Sequence, residues 1–247
     1  MASDIELLTI ETEVLWTIDG RGRLIASRGR SGTPAPHLSI GTSRDGRTIA
    51  IGAGVPDVLA DELRGAIEAE ALPVDPAQEP SALVACERML RDAFGPVERS
   101  AGLAWVIESI PVVTSDAAIV KSTDAGASVF SGRVPEGFTW EHDEWQELID
   151  GELGAWAMCA IQGSPVSLCH CARIAEAGIE AGTWTHPDHR GRGYASAATA
   201  AWASLVLPTG RHIFYSTNAG NRSSQRVTER LGLHSIGWRW MVVPQSS

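Results

Sequence analysis

Basic residues are scarce in this chain of 247 residues. It contains 20 Lys+Arg against 30 Asp+Glu, which gives a formal net charge of -10 at pH 7. Nucleic acids and anionic membranes are bound through clustered Lys and Arg, so we expect neither as the main partner. The acidic balance is compatible with a cationic or amine ligand, although acidic surfaces are also common in proteins that bind no cation.

Cysteine is also scarce. Four unevenly placed cysteines do not make a disulfide framework. The tract Cys169-His170-Cys171 has metal-binding residue types, but neighbours on a strand point to opposite faces, so the imidazole would not share a face with the two thiols. Structural zinc normally needs four ligands, and no second ligand pair stands elsewhere in the sequence. We therefore predict small buried thiols and no metal.

Targeting signals and long apolar runs are absent as well. Residues 1–6 are acidic and lack the basic and apolar regions of a signal peptide. The longest uncharged run, 193–210, is rich in Ala, Ser and Thr, which favours a buried helix over a membrane span. These features predict a cytoplasmic protein that does not bind membranes. No internal repeat is visible.

Core material is abundant, because 44% of the residues are hydrophobic. The length suits one large or two modest domains. Asp-Gly turns at Asp19 and Asp45 separate apolar alternations and predict two hairpins. Helices are predicted to begin near Asp57 and Ser81. We assign residues 1–110 to an N-terminal α+β lobe in which no catalytic signature is visible.

The rest of the chain, 111–247, alternates helical and strand-like patterns. Apolar residues recur at helical spacing after Tyr194 and again after Asn221, where Gly232 is placed to end the second helix. This alternation predicts an α/β (α+β) layered fold. The other patterned segments are predicted as a helix over 140–149 and as strands over 103–110, 117–121, 155–161, 166–171, 179–185, 211–217 and 238–243.

One stretch of the second part has the pattern of a phosphate site. A strand ends, and a Gly/Arg-rich turn over 190–195 leads directly into a helix. The first N–H groups of a helix lack intrahelical partners and the macrodipole places positive charge there, so an anion binds well. Gly191 and Gly193 allow close approach to the backbone, while Arg190 and Arg192 add fixed charge.

These residues resemble the acetyl-CoA loop of the GNAT acetyltransferase superfamily, Gln/Arg-x-x-Gly-x-Gly/Ala. The tract Arg190-Gly191-Arg192-Gly193-Tyr194-Ala195 fits that loop, and Thr185-His186-Pro187 stands where the family has Val-x-Pro. Asn221 and Leu231-Gly232-Leu233 match a later family helix. The resemblance runs from about Trp140 to the C-terminus. It implies a mixed, mostly antiparallel sheet with flanking helices and a splayed strand that binds CoA.

The resemblance leaves the role of the N-terminal lobe open. The lobe would either shape the acceptor side of a cleft or serve packing and dimerisation, and the sequence does not choose between these roles. A homodimer therefore also stays open.

The resemblance further implies acetyl-CoA as cosubstrate. The loop backbone would hold the CoA pyrophosphate, and the strand end would bind the pantetheine arm like an added strand. The helix that opens at Asn221 would face the same arm. The residues predicted to bind the cofactor are Thr183, Trp184, Thr185, Arg190, Gly191, Arg192, Gly193, Tyr194, Ala195, Asn221 and Ser224.

The general base is predicted from the strand that leads to the loop, where many family members carry a carboxylate. Glu180 shares a strand face with Gly182 and Trp184 and is our first candidate. Glu176, further back, is the second. His170, on the neighbouring strand, has a residue type suited to a base, but it also fits a strand histidine without a catalytic role.

The general acid marks a departure from the family. Members often carry a Tyr seven residues after the helix Asn, whereas this chain has Thr228, whose hydroxyl is a weaker acid. Tyr215, on the preceding strand, and Ser224, one turn earlier, are alternative donors. Solvent could also protonate the departing thiolate.

The function predicted from the resemblance is an acyl-CoA-dependent N-acyltransferase. It would move an acetyl group from acetyl-CoA to a primary amine by direct attack. The alternative is a CoA-binding sensor or assembly module that has lost catalysis, and Thr228 motivates it. An RNA-binding module that uses the Arg/Gly loop is opposed by the net acidity.

Overall fold

The computed structural model describes residues 2–29 and 32–245. The α-helices are α1 (Asp4–Leu15), α2 (Asp57–Glu68), α3 (Ala82–Phe94), α4 (His142–Ile149), α5 (Tyr194–Val206) and α6 (Arg222–Leu231). The strands are β1 (Trp16–Ile18), β2 (Leu24–Ser27), β3 (Leu38–Thr42), β4 (Arg47–Ile51), β5 (Val97–Val106), β6 (Ala118–Lys121), β7 (Trp156–Ile161), β8 (Ser164–Ile174), β9 (Gly178–Thr185), β10 (His212–Asn218) and β11 (His234–Pro244). Short 3-10 turns lie at Ala127–Phe130, Pro187–His189 and Leu207–Thr209. Within the described ranges, no helix is both long enough and apolar enough to cross a membrane.

The chain divides into two compact units. The first comprises Met1–Trp105, Ser216–Asn221 and Ser235–Ser247, and the second comprises Val106–Tyr215 and Arg222–His234. The predicted division places a single boundary between residues 110 and 111. In the structure, the first unit also includes two segments that follow the main part of the second unit. One of these contains most of β11, which pairs with β3. The two-domain division stays a prediction.

Both predicted hairpins are confirmed. β1 pairs antiparallel with β2, and β3 pairs antiparallel with β4, with Ile40 opposite Ile49. The sequence pattern does not predict α1, although Ser3 and Glu6 form a capping box at its start. The buried positions of α1 include Glu11 and Thr12, so its apolar residues do not form a clean stripe.

The first unit is a sheet with helices on both faces. Its strands lie in the order β4-β3-β11-β5, and β11 runs antiparallel to β3. Alternate residues of β11 point to opposite faces. Trp240 and Val242 join the apolar core that α2 and α3 form with β3 and β4, whereas Arg239 points to the face covered by α1.

Arg239 forms a buried ion pair in the first unit. Its side chain contacts the carboxylate of Glu11, with 2.6 Å between Nη2 and Oε2, and Glu11 is 0% exposed. Nη1 also donates to Thr12 Oγ1 at 3.1 Å and to Ser39 Oγ at 3.2 Å. The guanidinium lies 5.2 Å from the centre of the Trp16 ring. Hydrogen bonds and the opposite charge thus compensate a cation removed from water.

The second unit contains the predicted mixed sheet. Its strands lie in the order β10-β9-β8-β7-β6. The pairs β6–β7, β7–β8 and β8–β9 are antiparallel, while β9 and β10 pair in parallel. The prediction of a mixed, mostly antiparallel sheet with flanking helices is therefore confirmed.

Helices cover both faces of the sheet in the second unit. Trp145 and Leu148 of α4 pack with Trp156, Met158 and Leu168 on one face. The opposite face holds α5. The prediction of buried thiols is also confirmed, since the four free cysteines, Cys86, Cys159, Cys169 and Cys171, are all buried.

Burial keeps these thiols protonated. It raises the pKa of Cys86 to about 11 and that of Cys159 to about 12, so both remain protonated at neutral pH. The Cys159 thiol donates to the Tyr194 carbonyl at 3.3 Å, which ties β7 to the first residue of α5. In the described chain, no group of three or more His, Cys, Asp or Glu residues is placed to hold a metal ion.

Candidate active site

The parallel pair of β9 and β10 opens part-way along its length. The register of the pair ends at Glu180 opposite Phe214, whereas β9 itself continues to Thr185. On its other edge β9 stays paired with β8 up to Ser167 opposite Thr185. The edge of β9 that faces β10 is thus unpaired with that strand beyond Glu180. An extended ligand can bind such an edge as an added strand.

Side-chain hydrogen bonds from β8 hold the open end of β9. The Ser167 hydroxyl donates to the Trp184 carbonyl at 2.8 Å and also lies 2.8 Å from Thr185 Oγ1. Ser167 is 0% exposed, so these bonds do not compete with bulk water. The segment Thr183–Thr185 is therefore fixed in an extended conformation.

The N-terminus of α5 carries the features of an anion site. Gly193 is the N-cap residue, with φ of 89°, and no side chain caps the first N–H groups. The first turn contains no acidic residue. Gly191 also has a positive φ, 78°, a conformation that favours glycine. Arg190 and Arg192 are both exposed beside this turn, and Arg190 Nε donates to the Thr185 carbonyl at 3.4 Å.

A third arginine, Arg230, lies at the same turn, although no sequence motif predicts it there. Its guanidinium packs so close to Gly193 that a Cβ at Gly193 would overlap it. Arg230 is exposed and belongs to the last turn of α6. A cation at the positive end of a helix is unfavourable unless an anion lies nearby. This placement adds a third cation to the two that the loop itself supplies.

Tyr215 lies at the point where the two strands separate. Its hydroxyl oxygen is 3.2 Å from Thr183 Oγ1, and the residue is 2% exposed. Burial raises the pKa of Tyr215, while hydrogen bonds with Thr183 and Ser224 act in the opposite direction. The phenol is therefore protonated at neutral pH and can donate a hydrogen bond into the opening.

Thr228 stands where the sequence comparison with the resembled family expects a tyrosine, and its hydroxyl is bonded within its own helix. Its hydroxyl donates to the Gln225 carbonyl of the same helix at 2.7 Å, and the residue is 2% exposed. Its proton is therefore engaged within α6.

Glu180 is the last β9 residue that pairs with β10. It is 3% exposed, and its carboxylate forms an ion pair with Arg173, whose side chain is 31% exposed. Arg173 stands opposite Glu180 in the register of β8 and β9, so both side chains lie on one face. Arg173 thus provides a positive partner for an otherwise buried carboxylate.

Glu176 lies elsewhere. The prediction that it shares the strand of Glu180 is wrong, because Glu176 is exposed in the turn between β8 and β9. Its carbonyl accepts from Arg211 Nε at 3.2 Å. The turn is at the end of β9 that is remote from the opening.

His170 lies directly over Gly182. A Cβ at Gly182 would be 2.5 Å from His170 Nε2, so the imidazole occupies the space that a side chain would fill. The Trp140 ring meets the imidazole edge to face, with 4.8 Å between the ring centres. Nδ1 is buried without a hydrogen-bond partner in the described chain. Burial lowers the pKa of His170 to about 4, so the ring is neutral at physiological pH.

This burial predicts a pH dependence of stability. Unfolding returns His170 to a pKa near its ordinary value of about 6.5. Between pH ~6.5 and ~4, His170 is protonated in the unfolded chain but not in the folded chain. The free energy of unfolding therefore falls as pH falls, by at most about 1.4 kcal/mol per pH unit. Urea titrations from pH 7 to 4 should show a shallower slope in His170→Gln. The exposed His142→Gln serves as control; equal slopes in wild type and His170→Gln would contradict the prediction.

The candidate base and the candidate donor lie on opposite faces of β9. Trp184, on the same face as Glu180, stands opposite Leu168 in the α4-side core. Thr183 points the other way, since it stands opposite Cys169 on the α5 side. A group held at the open edge would therefore have the carboxylate on one side and the hydroxyls on the other.

The comparisons with known proteins bear on this second unit. Residues 127–234 match the family described as acetyltransferase (GNAT) domain. This segment belongs to the GNAT family. No curated protein sequence matches the chain.

Solved structures resemble the whole chain. A GCN5-related N-acetyltransferase from Kribbella flavida shares 18% identity with a TM-score of 0.50, and covers 100% of this chain and 97% of that one. A GCN5-related N-acetyltransferase-like protein from Streptococcus suis 89/1591 shares 16% identity with a TM-score of 0.48, over 98% and 100% of the two chains. An acetyltransferase from the GNAT family of Colwellia psychrerythraea shares 13% with a TM-score of 0.47, over 98% and 96%. Because its identity to this chain is only 18%, the structure from Kribbella flavida shows the fold alone.

Other predicted cofactor residues of the GNAT domain are placed as follows. Tyr194 is 2% exposed, so its side chain packs inside the unit, and Ala195 is partly buried beside it. Ser224 is partly buried in the first turn of α6. Asn221, an exposed residue, donates its backbone N–H to the Asn218 carbonyl at 2.9 Å. Their contacts with a cofactor stay predictions.

Three residues that contact the candidate site were not predicted from the sequence: Arg230, Ser167 and Arg173. Arg230 follows Asn221 by more than two turns of α6 and belongs to no loop motif. Ser167 and Arg173 belong to β8, where a register shift between Cys171 and Arg173 alters the alternation. The one available signal concerns Arg173, because an arginine and a glutamate on adjacent predicted strands can pair across the sheet.

Proposed function

We propose that this chain is an acyl-CoA-dependent N-acetyltransferase that transfers the acetyl group of acetyl-CoA to a primary amine. The observation that carries the proposal is the opening of β9 from β10, followed along the chain by a Gly-capped helix with three arginines at its N-terminus. The open strand edge suits the amide-containing arm of CoA, and the helix N-terminus suits its pyrophosphate. Arg190, Arg192 and Arg230 supply the charge.

The chemistry follows from the two faces of β9. Glu180 takes a proton from the substrate ammonium directly or, since its carboxylate is almost wholly buried, through one water. The free amine then attacks the thioester carbonyl carbon, and the C–S bond breaks. Tyr215 donates a hydrogen bond and a proton to the departing thiolate, with Thr183 and Ser224 holding its hydroxyl. The nitrogen loses its second proton to solvent, which leaves an amide and free CoA.

Removing the two loop arginines should remove most of the stabilisation by acetyl-CoA. A ligand that binds only the native state adds about 2.7 kcal/mol at one hundred times its Kd. If Arg190→Ala plus Arg192→Ala weakens binding 100-fold, the same ligand concentration adds only about 0.4 kcal/mol. Thermal unfolding with and without acetyl-CoA measures both values.

The control for charge is Arg64→Ala plus Arg88→Ala, two exposed arginines of the first unit. This control should keep the full shift. Thiol release with a panel of primary amines completes the test. If acetyl-CoA binds but no amine in the panel causes thiol release, a CoA sensor is favoured. If acetyl-CoA does not bind to the wild-type protein, both the acetyltransferase and the CoA sensor are contradicted.

A further inference from the structure

Four aromatic side chains form a continuous patch on the α4 side of the second unit. We call Phe138, Trp140, His170 and Trp184 the ring cluster. Phe138 lies 5.1 Å from both Trp140 and Trp184, measured between ring centres, and Trp140 lies 4.8 Å from His170. All four side chains are partly exposed.

The ring cluster lies on the same face of β9 as Glu180. Trp184 is four residues along the strand from Glu180, and Gly182 between them has no side chain. His170 covers Gly182 instead. The loop that carries Phe138 and Trp140 also reaches the end of β9, since Pro187 Cδ is 3.8 Å from the position of a Cβ at Gly137. The rings thus cover the face from the carboxylate to the open end.

The chemistry of this surface selects for shape and charge. Aromatic faces and edges pack well with flat rings, and the faces of Trp attract cations. His170 is neutral, and the positive charge of Arg173 on this face is paired with Glu180, so the ring cluster itself presents no charge that repels an ammonium group. Glu136 and Glu141, exposed beside Phe138 and Trp140 in the same loop, have the sign that attracts a cation. Polar groups for a sugar or a polyol are few, because the side-chain polar atoms of the cluster are two indole and two imidazole nitrogens.

We infer that the ring cluster is the acceptor subsite and that the acceptor is an arylalkylamine, a primary amine joined by a short linker to a flat aromatic group. The aromatic group packs against the exposed parts of Phe138, Trp140 and Trp184, and the amine reaches towards Glu180. This inference rests on the proposed function, since it names the substrate class of that site.

Substrate preference tests the inference directly. With saturating acetyl-CoA, thiol release should be compared for phenethylamine, tryptamine, propylamine, ethanolamine and cadaverine. We expect kcat/KM for the two aromatic amines to exceed that for propylamine by at least about tenfold, the factor that a well-packed aromatic contact supplies. Trp140→Ala should raise KM for phenethylamine about tenfold and KM for propylamine by a much smaller factor, because propylamine has no ring to pack, while KM for acetyl-CoA should stay at the wild-type value. Trp140→Phe should restore most of the loss.

The control is Phe94→Ala in the first unit, an aromatic residue that is 39% exposed. It should change none of these values. Should Trp140→Ala fail to fold, Trp184→Leu and the wild-type preference decide the same question. Calorimetric titration of phenethylamine into the protein saturated with CoA provides a readout without turnover, and binding is expected there.

The failure of this inference is distinguishable from that of the proposed function. Acetyl-CoA binding together with equal or better acetylation of propylamine or cadaverine would overturn the arylalkylamine subsite and leave the acetyltransferase intact. Absence of phenethylamine binding to the CoA complex would also overturn it. Absence of acetyl-CoA binding would overturn the proposed function itself.

Discussion

Glu180→Gln is expected to lower kcat for acetyl transfer by about 10²- to 10⁴-fold, the range that a positioned general base supplies. Gln keeps the size of the side chain and an oxygen that can accept from Arg173, so the fold and the acetyl-CoA site should be retained. Only the ability to take up a proton is lost. Steady-state thiol release measures kcat, and thermal unfolding with acetyl-CoA measures the retained binding.

The pH profile separates a base from a structural residue. The defect of Glu180→Gln should shrink at high pH, where more of the acceptor is already a free amine. Glu176→Gln, in an exposed turn, is the matched control and should keep wild-type kcat. Unchanged kcat in Glu180→Gln across pH, or a comparable loss in Glu176→Gln, would show that the base lies elsewhere.

Glu11→Ala is expected to destabilise the protein by about 3–5 kcal/mol, the usual effect of removing one partner of a buried ion pair. Arg239 would remain buried with its charge uncompensated. Urea unfolding of the first unit measures the loss, and a thermal midpoint lower by roughly 10 °C should accompany it.

Two further variants identify the cause of that loss. Glu13→Ala, an exposed carboxylate of the same helix, should change stability by less than about 0.5 kcal/mol. Glu11→Met combined with Arg239→Met removes both charges, and it should recover much of the stability because no ion is left unpaired. A small effect of Glu11→Ala, or a double variant as unstable as the single ones added together, would mean that the pair is not coupled.

Much of the fold was predictable because local signals agree with the tertiary structure. The Asp-Gly turns define two hairpins, and the Arg/Gly loop marks the start of α5 through its glycines. α1 was not predictable in the same way. It buries Glu11 and Thr12 against Arg239, a partner more than 220 residues later, so local patterning gives no sign of their burial.

The candidate site was predictable only where its residues form a contiguous motif. Arg190, Gly191, Arg192 and Gly193 are consecutive, so their pattern is visible in the sequence. Arg230 and Arg173 reach the site from other elements, and their positions depend on how α6 and β8 pack. The ring cluster was not predicted from the sequence for the same reason, because a loop and two strands contribute its members.

The position of β11 has a consequence for synthesis on the ribosome. β11 is the last strand of this sequence, yet it lies between β3 and β5 in the first unit. The first unit therefore begins with the earliest residues and gains an inner strand only when residues 235–244 have left the exit tunnel. Every residue of the second unit, up to His234, precedes that segment along the chain and is therefore available before then. We expect the part of the chain that is made first to complete its folding last, since its closing contacts span almost the whole sequence.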